Sequence, residues 1–113
     1  MIIYGRYTKN SYKNRFPENS FLISGISFYK KNCVNITKDT VLTMMFDLHN
    51  KYDPEAIAIL NENKIIGFVP NTSVKMICKN KISECLKIIE IININGYYGI
   101  RVIPKCFYSY DYR

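Results

Sequence analysis

Asn50-Lys51-Tyr52-Asp53-Pro54-Glu55-Ala56-Ile57-Ala58-Ile59-Leu60, followed one turn later by Ile66-Gly67-Phe68-Val69-Pro70, is the passage that organises this 113-residue chain. A polar segment punctuated by Pro54 runs straight into an apolar one, the signature of a loop feeding a strand. Ala56–Leu60 reads as that strand. Asn61-Glu62-Asn63 is a turn of residues that tolerate the left-handed region. Lys64–Val69 is the return strand, so 56–69 forms a hairpin, and Pro70 ends it.

Working outward, Val41–Leu48 is a dense apolar run and reads as a buried strand. Phe21–Tyr29 is β-prone but interrupted at Gly25, which predicts a bulge or a close backbone approach. After Pro70, Asn71 or Thr72 can cap a short helix through about Lys79. Val74, Ile77 and Cys78 fall on one face of it and Lys75 and Lys79 on another. Glu84–Ile94 reads as a long Ile-rich strand, although Ile82, Cys85, Leu86 and Ile89 also fit a helical period. Asn95-Gly96 is a hairpin signal, and Tyr97–Ile103 is the last strand, stopped by Pro104. About six short strands, one or two short helices and no βαβ rhythm predict a mainly β fold, a small OB-like barrel. Residues 1–19 read as a basic, aromatic arm, with Ile2–Tyr4 able to form a short strand. Residues 20–113 form the single barrel domain, its tail Phe107–Arg113 packing partly against the body.

Hydrophobic residues make up 48 % of the chain, enough for one modest core and too many for a disordered chain. A formal charge of +7 favours anionic partners, nucleic acid first. Ten Tyr and six Phe beside those cations suit single strands, where each nucleotide offers a face to stack and a phosphate to neutralise. The same rings also fill β cores. Cys33, Cys78, Cys85 and Cys106 contain no CxxC pair and His49 is the one histidine, so no metal or other cofactor is expected. Nor does a cysteine stand beside His49 in sequence as a nucleophile would. Asp47, Asp53 and Glu55 lie close together without a metal or nucleophile motif, and no phosphate-cradling glycine loop is present. A non-enzyme is expected. MIIYGRYTKN has no long apolar run, so neither a signal peptide nor a membrane span is expected. Reduced thiols then imply an intracellular protein, cytoplasmic, or nuclear in a eukaryotic or viral setting.

The central passage resembles the HIRAN domain. That family's signature runs from an apolar strand into Asn-x-Tyr-Asp-x-x-Ala-Ile, then, after a turn, a Gly-aromatic-apolar-Pro element. The matching residues are Asn50, Tyr52, Asp53, Ala56, Ile57, Gly67, Phe68, Val69 and Pro70. Gly25-Ile26-Ser27-Phe28-Tyr29 is similar to the family's first strand, where a glycine precedes an aromatic pair. The likeness spans roughly residues 20–105. It implies a modified OB-like barrel and, by analogy with members fused to helicase-like translocases, capture of the 3′ end of single-stranded DNA in replication or repair. This chain carries no motor and would be of the free-standing type.

The resemblance assigns Asp53 to the 3′-hydroxyl, since a carboxylate only accepts hydrogen bonds and repels a terminal phosphate. Tyr52 would stack on the terminal base, with Phe28, Tyr29, Phe68 and Tyr98 as further rings. Asn50 would bond a base edge or brace the loop. His49 could meet a phosphate as a cation. Several positions depart from the family. Ser27 stands where a basic residue precedes the aromatic pair, Phe28 where a Tyr occurs, and Asn71 where a Lys can occur. Lys51 and Lys75 could restore those charges. The alternative is a protein-interaction module on the same barrel, with a replication or host protein as partner and no DNA activity. A third reading is general nucleic-acid binding through the arm. No membrane or small-molecule substrate is expected. The DNA reading requires the Asn50–Asp53 corner to be an open ledge beside exposed rings, and it fails if Tyr52 and Asp53 turn inward with no basic concavity next to them.

Overall fold

A computed structural model describes residues 19–74, 82 and 84–107. The N-terminal arm up to Glu18, with the strand expected at Ile2–Tyr4, lies outside the described residues, as do Lys75 and the rest of the expected helix through Lys79, and the tail beyond Phe107.

Six strands form one antiparallel sheet: β1 (Phe21–Leu22), β2 (Val41–Phe46), β3 (Ile57–Asn61), β4 (Lys64–Phe68), β5 (Leu86–Ile94) and β6 (Tyr97–Pro104). Their order across the sheet is β1-β6-β5-β2-β3-β4. The sheet curls into a half-barrel, and its two edges meet. Ser24, just past β1, exchanges both backbone hydrogen bonds with Phe68 of β4, each 2.8 Å long. Ile23 N–H donates to the Ile100 carbonyl of β6 at 3.0 Å. The short segment Phe21–Ser24 is therefore the stave that joins the two edges, and the fold is a small OB-like β-barrel.

Leu42, Ile57, Ile59, Ile66, Leu86, Ile88, Ile100 and Val102 fill the interior. Fully burying each such side chain is worth about 1.5–3 kcal/mol. β3, between β2 and β4, is buried along its whole length. β2 differs from the continuous buried run expected of it. Its burial alternates, with Val41, Thr43 and Met45 outward, and the strand ends at Phe46, leaving Leu48 exposed.

Both hairpins fall where the turn chemistry places them. Glu62 and Asn63 have φ of 51° and 69°, and Asn95 and Gly96 have φ of 48° and 84°. Pro104 does not stop β6 but is its last residue, opposite Leu86. Lys105 N–H donates to Cys85 O at 2.9 Å, so by antiparallel alternation Pro104 sits at a non-hydrogen-bonded pair and withholds no donor from β5.

The principal correction concerns residues 21–29. Only Phe21–Leu22 is a strand there, and Ile26–Cys33 is a 3₁₀ helix. Gly25, at φ 74°, turns the chain off the sheet in a left-handed conformation that costs glycine little. The helix is then held by tertiary bonds. Asn32 Nδ2 donates to Ile65 O at 2.8 Å, and the buried Asn61 Nδ2 donates to Asn32 O at 3.2 Å and to Asn35 Oδ1 at 3.1 Å. The expected close backbone approach is found at Gly67 instead. A Cβ there would meet Ile23 Cγ2 and stand 2.7 Å from Ser24 O, so only glycine lets β4 approach the stave. No helix among the described residues is long and apolar enough to cross a membrane.

Candidate nucleic-acid interface

The connection from β2 to β3 builds a corner from short-range hydrogen bonds. Asp47 N–H donates to Ala56 O at 2.9 Å and prolongs the strand pairing by one step. Within the loop, Asn50 Oδ1 accepts from the N–H groups of Tyr52 and Asp53, both at 2.9 Å, while its Nδ2 donates to Asp47 Oδ2 at 3.2 Å. Asn50 thus braces the loop. Asp53 Oδ1 accepts from Glu55 N–H at 3.0 Å, and Asp53 O accepts from Ala56 N–H at 3.0 Å. These are the side-chain-to-backbone turns that Asn and Asp favour. Among the described residues no hydrogen bond engages Asp53 Oδ2.

The corner faces the exit of β4. Together they enclose an open recess of about 380 Å³, lined on one side by Asn50, Tyr52 and Asp53 and on the other by Phe68, Pro70 and Asn71, with Ala56 and Val69 among its apolar lining. Tyr52 is 96 % exposed, so its ring is free to take a partner. Asp53 is half-buried. Phe68 leans on Tyr29 of the 3₁₀ helix, ring centroids 6.2 Å apart and tilted by 60°.

Five of the residues singled out from the sequence therefore share one recess: Asn50, Tyr52, Asp53, Phe68 and Asn71. Tyr29 reaches it through Phe68. His49 and Lys51 lie exposed on the same loop but do not line the recess. Phe28, 84 % exposed, stands outside it on the 3₁₀ helix rather than on a strand. Tyr98, half-buried on β6, belongs to a neighbouring cleft. Lys75 lies outside the described residues. The expected neighbouring cations are not in the lining, where Asp53 is the one charged group among the described residues. The positions that would supply them are the uncharged Ser27, exposed on the 3₁₀ helix, and Asn71, exposed on the recess wall.

No known protein family, no curated protein and no solved structure matches this chain.

Sequence reasoning overlooked Ser24, which lines the recess as the bridging residue of the stave. It also overlooked Lys30, Cys33 and Asn93, which with Tyr98 line a cleft of about 410 Å³ between the 3₁₀ helix and the β5–β6 hairpin. One signal was available. A two-residue Asn95-Gly96 turn sets Asn93 directly opposite Tyr98, as the register has it. Burial raises the pKa of the Cys33 thiol. Burial, and secondarily the neighbouring Cys33, raises that of the Tyr98 phenol. Both groups are neutral at physiological pH.

Proposed function

We propose that this chain is a HIRAN-type binding module that captures the 3′-hydroxyl end of single-stranded DNA in the recess beside Asn50–Asp53. One observation carries the reading. Asn50, Tyr52, Asp53, Phe68 and Asn71 come from two separate stretches of sequence and line the same open recess.

The chemistry suits a strand terminus better than a strand interior. Asp53 Oδ1 is committed to its turn, and Oδ2 is the acceptor left for a terminal hydroxyl. The lining offers an anion and no cation among the described residues, so a terminal phosphate would be repelled while a hydroxyl would be accepted. A hydrogen bond to a charged group is worth about 1.5–3 kcal/mol. Tyr52 supplies a stacking face worth about 1–3 kcal/mol. Asn50 acts as the positioning residue, holding the Tyr52 and Asp53 amides through one side-chain oxygen. Phosphates further along the strand would be met outside the recess.

The test is a titration with matched oligonucleotides ending in a 3′-hydroxyl or a 3′-phosphate. The hydroxyl end is expected to bind at least about tenfold tighter, the lower value of that hydrogen bond expressed as affinity. Asp53→Asn keeps the Oδ1 acceptor that braces the turn but removes the charge, and should shrink the preference without unfolding the domain. Equal binding of both ends by the unmodified protein rejects end capture.

A lining without a cation among the described residues also favours a second reading, in which the recess docks a protein segment. Absence of DNA affinity at low salt, together with a peptide whose binding is lost in Tyr52→Ala, would establish it.

A further inference from the structure

We propose that the cleft between the 3₁₀ helix and the β5–β6 hairpin is a second nucleotide subsite, which holds the strand on the 5′ side of the captured end with Lys30 on its phosphate. This rests on the recess being the end pocket.

The recesses follow one another across the surface. Ser24 lines the end recess, and the next residue, Gly25, lines a recess of about 290 Å³ that also includes Ser27, Lys30 and Tyr98. Lys30 and Tyr98 in turn line the cleft of about 410 Å³. Ser24 and Gly25 are adjacent in the chain, and Phe68, which lines the end recess, has its ring 4.0 Å from where a Gly25 Cβ would stand, so a strand leaving the Asp53 corner reaches the second recess across one glycine step.

The cleft holds what a nucleotide needs. Tyr98 offers a half-buried ring and hydroxyl. Asn93, paired with it across the hairpin, offers an amide that both donates and accepts, as base edges require. Lys30 is the one cation in the lining of these recesses among the described residues. Its ammonium makes only an exposed 3.4 Å contact with Gly96 O, so it can turn to a phosphate at little cost. Val34, Ile36, Ile91 and the neutral Cys33 complete the lining, which holds no anion among the described residues. The charges are thus divided: an acceptor without a cation where the strand ends, a cation without an anion where it continues.

The experiment is fluorescence anisotropy with 3′-hydroxyl oligothymidylates lengthened one nucleotide at a time on the 5′ side. Unaltered protein should bind more tightly as the strand grows, until the cleft is filled. Lys30→Ala should flatten that rise several-fold and lower the dependence of log affinity on log salt by about 0.7, one single-strand phosphate. Asn93→Ala should weaken the longer strands and leave the shortest unchanged. Lys38→Ala removes the same charge from an exposed residue that lines none of these recesses and should leave the rise intact. A rise in Lys30→Ala equal to that of unaltered protein, or one flattened equally by Lys38→Ala, overturns the subsite. Throughout, the ratio between 3′-hydroxyl and 3′-phosphate strands reports separately on the end pocket. A failure there is distinguishable from a failure of the cleft.

Discussion

The Asn50–Ala56 corner lines the end recess and the Ile26–Cys33 helix lines the two recesses beyond it, and the two elements are held in opposite ways. The corner is braced by bonds between residues two or three positions apart, all of them centred on Asn50 and Asp53. The 3₁₀ helix makes its decisive bonds to residues far along the chain. Asn32 reaches Ile65, 33 positions away, and Asn61 reaches back 29 positions to Asn32. The corner can therefore form wherever β2 meets β3, whereas the helix exists only once the barrel has closed around it. One wall of the proposed interface is set by local chemistry and the other by tertiary packing, so damage to each should look different.

The largest effect is expected where the long-range wall depends on a backbone contact. Gly67→Ala would push a Cβ into Ile23 and to 2.7 Å from the Ser24 carbonyl, which cannot yield as a side chain end can. A loss of about 3 kcal/mol by chemical denaturation is predicted, at the upper end for overpacking, because the bridge between the sheet edges is displaced. A change smaller than about 1 kcal/mol would show that the Ser24–Phe68 bridge is dispensable.

Next comes Asn61→Ala, which deletes a buried amide, leaves the half-buried Asn32 carbonyl without that donor and removes one of the two partners of the exposed Asn35 side chain. About 2 kcal/mol is expected, with faster hydrogen exchange across residues 26–36 and no change at the corner. The mirror experiment is Asn50→Ala. Its freed amides are exposed or half-exposed and water replaces their partner, so only about 1 kcal/mol should be lost. Exchange should accelerate at Tyr52 and Asp53 alone. If Asn50→Ala instead loosens the helix, the two walls are coupled and the contrast fails.

The smallest effect concerns pH. Burial keeps the Cys33 thiol protonated to higher pH in the fold than in the unfolded chain. The unfolded chain thus loses its proton first, and stability should be fully present below the ordinary thiol pKa of about 8.5 and decline as pH rises through the folded value. Tyr98, raised in the same direction, extends the decline to more alkaline pH. Cys33→Ser should reduce the alkaline loss, as seen in melting temperatures across that range.

The contrast between the walls also explains what could be read from the sequence. The hairpin 56–69, the Asn95-Gly96 turn and the Asn50–Asp53 corner all depend on residues near one another in the chain. Strand alternation, left-handed turns and Asn or Asp acceptors announced them. The 3₁₀ helix did not announce itself. Ile26, Phe28 and Tyr29 prefer strands, and the bonds that override that preference come from Ile65 and Asn61, invisible to a local window. Gly67 was legible as a special position, but its partners Ile23 and Ser24 were not. Lys30 was passed over for the same reason, because its place beside Tyr98 is created by the helix. That the end recess has no cation among the described residues was legible at Asn71, and that the neighbouring recess has none at Ser27 was equally legible.

The central claim, that a strand end lies in the recess between the Asn50–Asp53 corner and the exit of β4, is tested most directly by amide chemical shifts on titration with a short 3′-hydroxyl oligonucleotide. The account predicts that Tyr52, Asp53, Glu55, Phe68 and Asn71 move first and furthest, and that they move much less with the 3′-phosphate strand. Shifts confined to the separate recess at the β3–β4 turn, around Lys31, Glu62 and Lys64, with the corner unmoved, would contradict it.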